Sequence, residues 1–155
     1  MKIWIVYDTL YGNTEQIAQT IKEGMGKGNE VELVKADKAN FQDIAKVDML
    51  LVGSPTHGGW FTEPVKKFLH SIPQMGLQGK RAAAYDTSTS KENESGFVKL
   101  VIDFFGCASK RIAKELNKKG TKLLTSETFF VIGKEGPIQD GEMERAKAWA
   151  KGLVE

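Results

Sequence analysis

Five short apolar runs separated by amphipathic stretches constrain this chain more than any other feature. The runs are residues 3–7, 31–34, 49–53, 82–85 and 129–132, each of strand length. The segments between them place apolar residues at helical steps of three and four: Ile17, Ile21 and Met25 in one, Val65, Phe68, Leu69 and Ile72 in another. A longer segment offers Phe97, Leu100, Val101, Phe104, Phe105, Ala108, Ile112 and Leu116, and the last has Met143, Ala146, Ala150 and Leu153. Residues 35–47, with Phe41, Ile44 and Val47, fit either a short helix or a structured loop. Runs 3–7 and 49–53 are continuously apolar rather than alternating, the pattern of strands covered on both faces by crossover helices. Strand and helix in alternation imply an α/β fold, a doubly wound parallel sheet with helices on both faces. Gly26 and Gly28 close the first helical segment, Pro73 and Gly76 the second and Gly120 the third, while Gly136 and Pro137 precede the fourth. Residues 122–132 are apolar at both ends but polar at 125–128, which reads as a last strand interrupted by an insertion.

Length and composition fit this reading. With 155 residues and neither linker nor repeat, the expected organisation is a single domain over 1–155. A hydrophobic fraction of 41% against 27% charged residues excludes a disordered or collagen-like chain. Twenty-two Lys and Arg against twenty Asp and Glu give a net charge of +2, too mild for a nucleic-acid binder. Cys107 is the only cysteine, so an intramolecular disulfide and every CxxC motif are excluded; it falls within the apolar period of the long third segment and reads as a small core residue. The run 3–7 stops at Asp8, too short for a signal sequence, and no run approaches about 18 apolar residues. A cytoplasmic protein with no membrane or nucleic-acid partner is expected.

In an open α/β sheet, ligands bind outside the carboxyl ends of the strands, so three loops should carry the chemistry. The first is Thr9, Leu10, Tyr11, Gly12, Asn13 and Thr14, between the first strand and the first helix. Its hydroxyls, its glycine and the helix N-terminus suit an anion such as phosphate, since backbone N–H groups and the macrodipole both favour negative charge there. A helix cap by Thr9 or Asn13 would account for one polar residue, not for five small or polar residues in six. Gly24-Met25-Gly26-Lys27-Gly28 lacks the G-x-G-x-x-G spacing, and no G-x-x-x-x-G-K-[ST] occurs, so the dinucleotide and P-loop fingerprints are absent. The second loop holds Pro55, Thr56, His57, Gly58, Gly59, Trp60 and Phe61: a stiffening proline, two glycines that admit a peptide flip or a planar ligand, and two aromatic faces. Trp60 is the candidate stacking platform and His57 a polar contact. His57 and His70 are the only histidines, so a histidine metal cluster is excluded. The third loop, Asp86, Thr87, Ser88, Thr89 and Ser90, offers hydroxyls and amides for the edge of a heterocycle.

At these residues the chain resembles the flavodoxin family. Residues 9–14 match the family's phosphate-loop pattern [ST]-x-T-G-N-T everywhere except Tyr11, which stands where the family has a hydroxyl-bearing threonine. The resemblance extends through the second and third loops and implies a five-stranded sheet of order 2-1-3-4-5 with FMN at its switch point. It implies that Thr9, Leu10, Tyr11, Gly12, Asn13 and Thr14 hold the phosphate, Pro55 to Phe61 wrap the isoalloxazine with Trp60 stacked on it, and Thr87 to Ser90 meet the pyrimidine edge. The function it implies is a non-enzymatic electron carrier that shuttles electrons between a reductase and an acceptor through the flavin semiquinone and hydroquinone. Reduction to the neutral semiquinone protonates N5, and a carbonyl near Gly58 would turn to accept that proton at little steric cost.

Two departures from the family stand out. Flavodoxins are typically acidic, whereas this chain is mildly basic, and Lys110, Arg111, Lys114, Lys118, Lys119 and Lys122 have only Glu115 among them. The cluster reads as the solvated C-terminal end of a helix, where cations favour the macrodipole, ahead of a docking face for acidic partners. The third loop lacks the aromatic that many flavodoxins place over the second flavin face, which keeps open the alternative of a small FMN-dependent oxidoreductase acting on a quinone or porphyrinogen. A signalling receiver is disfavoured, because Ser54 and Pro55 occupy the place of a phosphoacceptor aspartate.

Overall fold

The computed structural model describes residues 1–89, 96–97 and 106–155. Its elements are β1 (Lys2–Tyr7), α1 (Asn13–Gly24), β2 (Glu30–Lys35), a 3-10 turn (Phe41–Lys46), β3 (Met49–Pro55), α2 (Glu63–Ser71), β4 (Arg81–Thr89), α3 (Ala108–Lys118), β5 (Lys122–Val131) and α4 (Glu142–Val154). All strand pairs are parallel and the sheet order is β2-β1-β3-β4-β5. This is the doubly wound α/β architecture expected from the alternation of runs.

Period-two alternation along the central strands divides the core. Trp4, Val6, Leu50, Val52, Ala82 and Ala84 face α2 and α3, meeting Val65, Phe68, Leu69, Ile112 and Leu116. Ile3, Ile5, Met49, Leu51, Ala83 and Tyr85 face α1 and α4, meeting Ile17, Ile21, Ala146 and Ala150. The residues between 35 and 47 form a 3-10 turn, capped by Asn40, whose Oδ1 accepts from the Gln42 amide at 3.0 Å, and anchored by buried Ile44.

Two expectations are corrected. The last strand carries no insertion: β5 is continuous over ten residues, with a one-residue register shift at Leu124 opposite Ala82 and Ala83. Its polar stretch is strand because the edge position leaves it half-exposed and its polar groups find partners: Thr128 Oγ1 donates to Asp86 at 2.7 Å, and Glu127 pairs with Arg145 at 2.9 Å. The long third segment is not one helix through Cys107. Gly106 has φ +78° and Cys107 is extended, so α3 starts at Ala108; Leu100, Val101, Phe104 and Phe105 lie outside the described residues. Cys107 caps this helix instead of filling its core, half-buried with Sγ 3.1 Å from Ser109 Oγ and 3.2 Å from Thr128 Oγ1. No helix among the described residues is long and apolar enough to cross a membrane.

Candidate functional site

The strand order brings the loops after β1, β3 and β4 to one edge of the sheet. Tyr7, Gly53 and Tyr85 lie in register at the strand ends. Above them the Asp8 amide donates to the Gly53 carbonyl at 3.2 Å and the Thr56 amide to the Thr87 carbonyl at 2.9 Å. A cavity of about 240 Å³ opens there, lined by Thr9, Leu10, Tyr11, Asn13, Thr14, Pro55, Thr56, His57, Gly58, Thr87, Ser88, Thr89, Val131 and Lys134.

The first loop is built to turn into α1 without a side-chain cap. Thr9 Oγ1 accepts from the Gly12 amide at 2.9 Å, and Gly12, at φ +89°, occupies the cap position itself. Helix geometry leaves the first-turn N–H groups without intrahelical acceptors, Gly12 at the cap has no side chain, and among the described residues no other side chain caps them. The polar residues of the loop are thus not spent on capping. Asn13 Nδ2 donates to the Glu135 carbonyl at 3.0 Å, tying the start of α1 to the loop after β5. The expected third loop is corrected: β4 runs on through Thr89, so Thr87, Ser88 and Thr89 are the paired end of a strand. Thr14 and Thr87 place their hydroxyl oxygens 2.7 Å apart in a buried bond between the first turn of α1 and the end of β4. The Tyr7 hydroxyl donates to Glu15 at 2.7 Å, and burial together with that carboxylate pushes the phenol up to about 12.

In the second loop, His57 and Trp60 exchange backbone hydrogen bonds of 2.9 Å in both directions, closing a tight turn over Gly58 and Gly59. Both glycines have positive φ, +54° and +83°, the pattern of a type I′ hairpin turn. This turn carries Trp60 away from the cavity. The ring is 55% exposed and the Arg111 guanidinium lies 3.9 Å from its centroid, while Arg111 Nε donates to the Gly59 carbonyl at 2.8 Å. Phe61 packs partly buried against the α2/α3 side of the core. Of the residues proposed from sequence, Gly12, Gly59, Trp60 and Phe61 therefore shape or flank the cavity without lining it, and Ser90 lies outside the described residues.

A match to the flavodoxin family model spans residues 5–149. This chain belongs to the flavodoxin family. Flavodoxins similar to it include one from Aquifex aeolicus, 35% identical over 94 residues that cover 56% of this chain and 50% of the relative. Another, from Clostridium saccharobutylicum, is 31% identical over 104 residues, covering 66% of this chain and 65% of its own. The matched region thus spans half to somewhat under two thirds of these curated flavodoxins. Oxidised Flavodoxin 2 from Bacillus cereus superposes with a TM-score of 0.76 at 22% identity, over 99% of this chain and 98% of that one. The two-electron reduced flavodoxin of Megasphaera elsdenii gives 0.70 at 22%, over 97% and 98%. Both share this flavodoxin fold.

Sequence reasoning missed two features of this flavodoxin's strand-end region: the loop after β5, and the burial of a residue it had placed in the third loop without a role. The loop after β5 contributes Lys134 to the cavity, and its Gly136, at φ +102°, has no room for a Cβ, which would lie 2.6 Å from Asn13 Oδ1. It is also a loop at a strand's carboxyl end, so the rule that selected the other three would have found it. The second is Asp86, fully buried behind the cavity wall. It accepts hydrogen bonds from Thr56 Oγ1, a cavity-lining residue, and from Thr128 Oγ1, and Thr56 Oγ1 accepts from the Ala108 amide at 3.1 Å. Burial pushes the Asp86 carboxyl up, against the opposing hydrogen bonds of Thr56, Thr128 and Ser109.

Proposed function

We propose that this chain binds FMN in the cavity at the carboxyl ends of β1, β3 and β4 and carries electrons between redox proteins. The observation that carries the reading is the uncapped N-terminus of α1, whose first-turn amides open beside Thr9, Asn13 and Thr14 on a cavity shared by three further loops. Such amides and the positive end of the helix dipole suit a phosphate dianion. The polar side chains around them fit the same group, with Lys134 adding a positive charge to the lining.

Bound FMN supplies one- and two-electron chemistry; the chain supplies position, polarity and access. Thr9 to Thr14 would hold the phosphate, with Tyr11 contributing through its backbone or its half-exposed ring. Pro55 to Gly58 would border the isoalloxazine, and Thr87 to Thr89 its pyrimidine edge. The His57–Trp60 turn would respond to protonation at N5, because Gly58 has open space around its Cα and already sits at a φ that only glycine adopts cheaply. No side chain lining the cavity singles out a quinone or porphyrinogen, so electron transfer between proteins is the reading retained.

Titration of the apoprotein with FMN and with riboflavin, followed by anaerobic stepwise reduction, tests this. FMN should bind with a perturbed visible spectrum, riboflavin should bind at least about tenfold more weakly for want of the phosphate, and reduction should proceed through a one-electron state. Equal affinity for the two flavins, or none for FMN, would overturn the phosphate assignment.

A further inference from the structure

Helix α3 carries its charges where a helix does not want them. Its first turn contains Lys110 and Arg111 and no acidic residue, and Lys114 follows in the second turn. Cations near a helix N-terminus oppose the macrodipole, and like charges four residues apart repel. Lys110, Lys114 and Lys118 nevertheless stand at i, i+4 and i+8, a stripe about 12 Å long. Glu115, the sole acidic residue of α3, pairs with Lys118 at 2.8 Å. Lys110 and Lys114 are exposed and form no ion pair with any described residue. Cations on α4 are distributed differently: Arg145 pairs with Glu127 and Glu142, Lys147 with Glu23, and Lys151 with Glu155. The expected position at a helix C-terminus holds for Lys118 and Lys119, in the last turn and at the cap of α3, whereas Lys110 and Lys114 lie in its first two turns, where the dipole does not explain them.

Arg111 connects this helix edge to the cavity. Its Nε–H bond to the Gly59 carbonyl and its guanidinium over Trp60 fix the His57–Trp60 turn, and His57 and Gly58 of that turn line the cavity. Trp60, the large half-exposed ring of this turn, thus touches Arg111, the neighbour of Lys110 on α3, and shares its turn with the cavity-lining His57 and Gly58. Exposed tryptophan is enriched among the residues that dominate protein–protein binding energy, and a patch of one charge sign steers a partner of the opposite sign.

We infer that Trp60 with Lys110 and Lys114 forms the docking surface for an acidic electron-transfer protein, its carboxylates meeting the lysine stripe and its redox centre held near the cavity mouth. This rests on the electron-carrier reading above. The electron given up by one centre is taken up by the other, and no bond is made or broken. The polarity is the reverse of an acidic carrier that meets a basic partner.

The FMN-loaded protein, wild type and K110E/K114E, is reduced and mixed in stopped flow with an oxidised acidic ferredoxin, and separately with basic cytochrome c. With ferredoxin the wild-type rate should fall as ionic strength rises, because at about 0.1 M salt charges are screened beyond roughly 10 Å. The double variant should be about tenfold or more slower at low salt and converge with wild type at high salt, while its reaction with cytochrome c speeds up. The FMN spectrum and affinity should be unchanged, and thermal stability equal or higher, since two acids now sit in the early turns of α3. A role of the lysines in folding alone would not give this combination. A wild-type rate that rises with salt, or a variant indistinguishable from wild type at low salt, overturns the docking surface. Ferredoxin is also titrated into each protein without FMN, following the backbone amides of Lys110, Lys114 and Trp60 by NMR. Loss of FMN binding alone would refute the carrier reading, whereas absence of salt-sensitive shifts at those amides would refute the surface.

Discussion

Two buried carboxylates of opposite behaviour give the residue-scale predictions. Burial would raise Glu142, but Arg145 at 2.7 and 2.8 Å and the Phe130 amide at 2.7 Å overcome it, so the carboxyl lies below its usual range. A depressed carboxyl contributes stability above its unfolded value, lost as pH falls through the folded one. Asp86 is raised by burial, so its contribution is fully present below the ordinary aspartate range and is lost as pH rises through the folded value. In melting curves taken against pH, E142Q should therefore be less stable than wild type at neutral pH, with the gap closing in acid. D86N should gain on wild type as pH rises from acid toward neutrality, because the surrounding hydroxyls can turn to accept from an amide as readily as they donate to a carboxylate. Parallel profiles for D86N and wild type would mean that burial does not raise the Asp86 carboxyl. A third test needs no titration. The Tyr85 hydroxyl is buried with no hydrogen-bond partner among the described residues, so Y85F should be neutral or stabilise by about 1 kcal/mol in urea unfolding, where removing a satisfied polar group would have cost as much.

At the scale of elements, Gly24 separates intrinsic propensity from packing. Glycine inside a helix is worse than alanine by about 1 kcal/mol, so G24A looks favourable from α1 alone. The structure reverses the sign: a Cβ there would lie 2.5 Å from the Lys147 carbonyl and 2.9 Å from Ala150 Cβ on α4. G24A should destabilise by about 1–3 kcal/mol in denaturant titration, since backbone cannot yield as a flexible side chain could. The same contrast explains which elements were legible in the sequence. β1 and β3 were plain because they are covered on both faces and read as unbroken apolar runs. β5 was not, because an edge strand is half-solvated and its Thr125–Thr128 stretch is held by Asp86 and Arg145, partners distant in sequence. The start of α3 was hidden for a related reason: helical periodicity continues across Gly106 and Cys107, and only their backbone angles mark the break. For the cavity, Thr9, Thr14 and Thr87 were legible from strand-end loops alone, whereas the outward turn of Trp60 depends on Arg111 fifty-one residues away.

The cavity exists only when the whole sheet is assembled, because its lining comes from Thr9 to Tyr11, Asn13, Thr14, Pro55 to Gly58, Thr87 to Thr89, Val131 and Lys134, at the carboxyl ends of four strands spread across the chain. The sheet order puts β1 and β3 side by side, and the Thr14–Thr87 and Asn13–Glu135 bonds close the loops on one another. A ligand held there binds the folded state and not the unfolded chain, so it must raise the stability of the entire domain by mass action. At an FMN concentration one hundred times its dissociation constant the gain is about 2.7 kcal/mol, which for a chain of this size corresponds to roughly 5–10 °C in melting temperature. Hydrogen exchange adds a spatial readout: amides in β1, β3 and β4, which open only on global unfolding, should slow together by about a hundredfold at that concentration. Riboflavin at the same concentration should give a smaller shift, because the uncapped amides of α1 then have no phosphate to meet. Breaking one inter-loop bond separates binding from folding. G136A forces a Cβ onto Asn13 at a φ of +102° that strains any L side chain, so the flavin-free melting temperature should fall and the FMN-induced shift should shrink as well. An equal fall with and without FMN would mean that the loop after β5 serves only the fold.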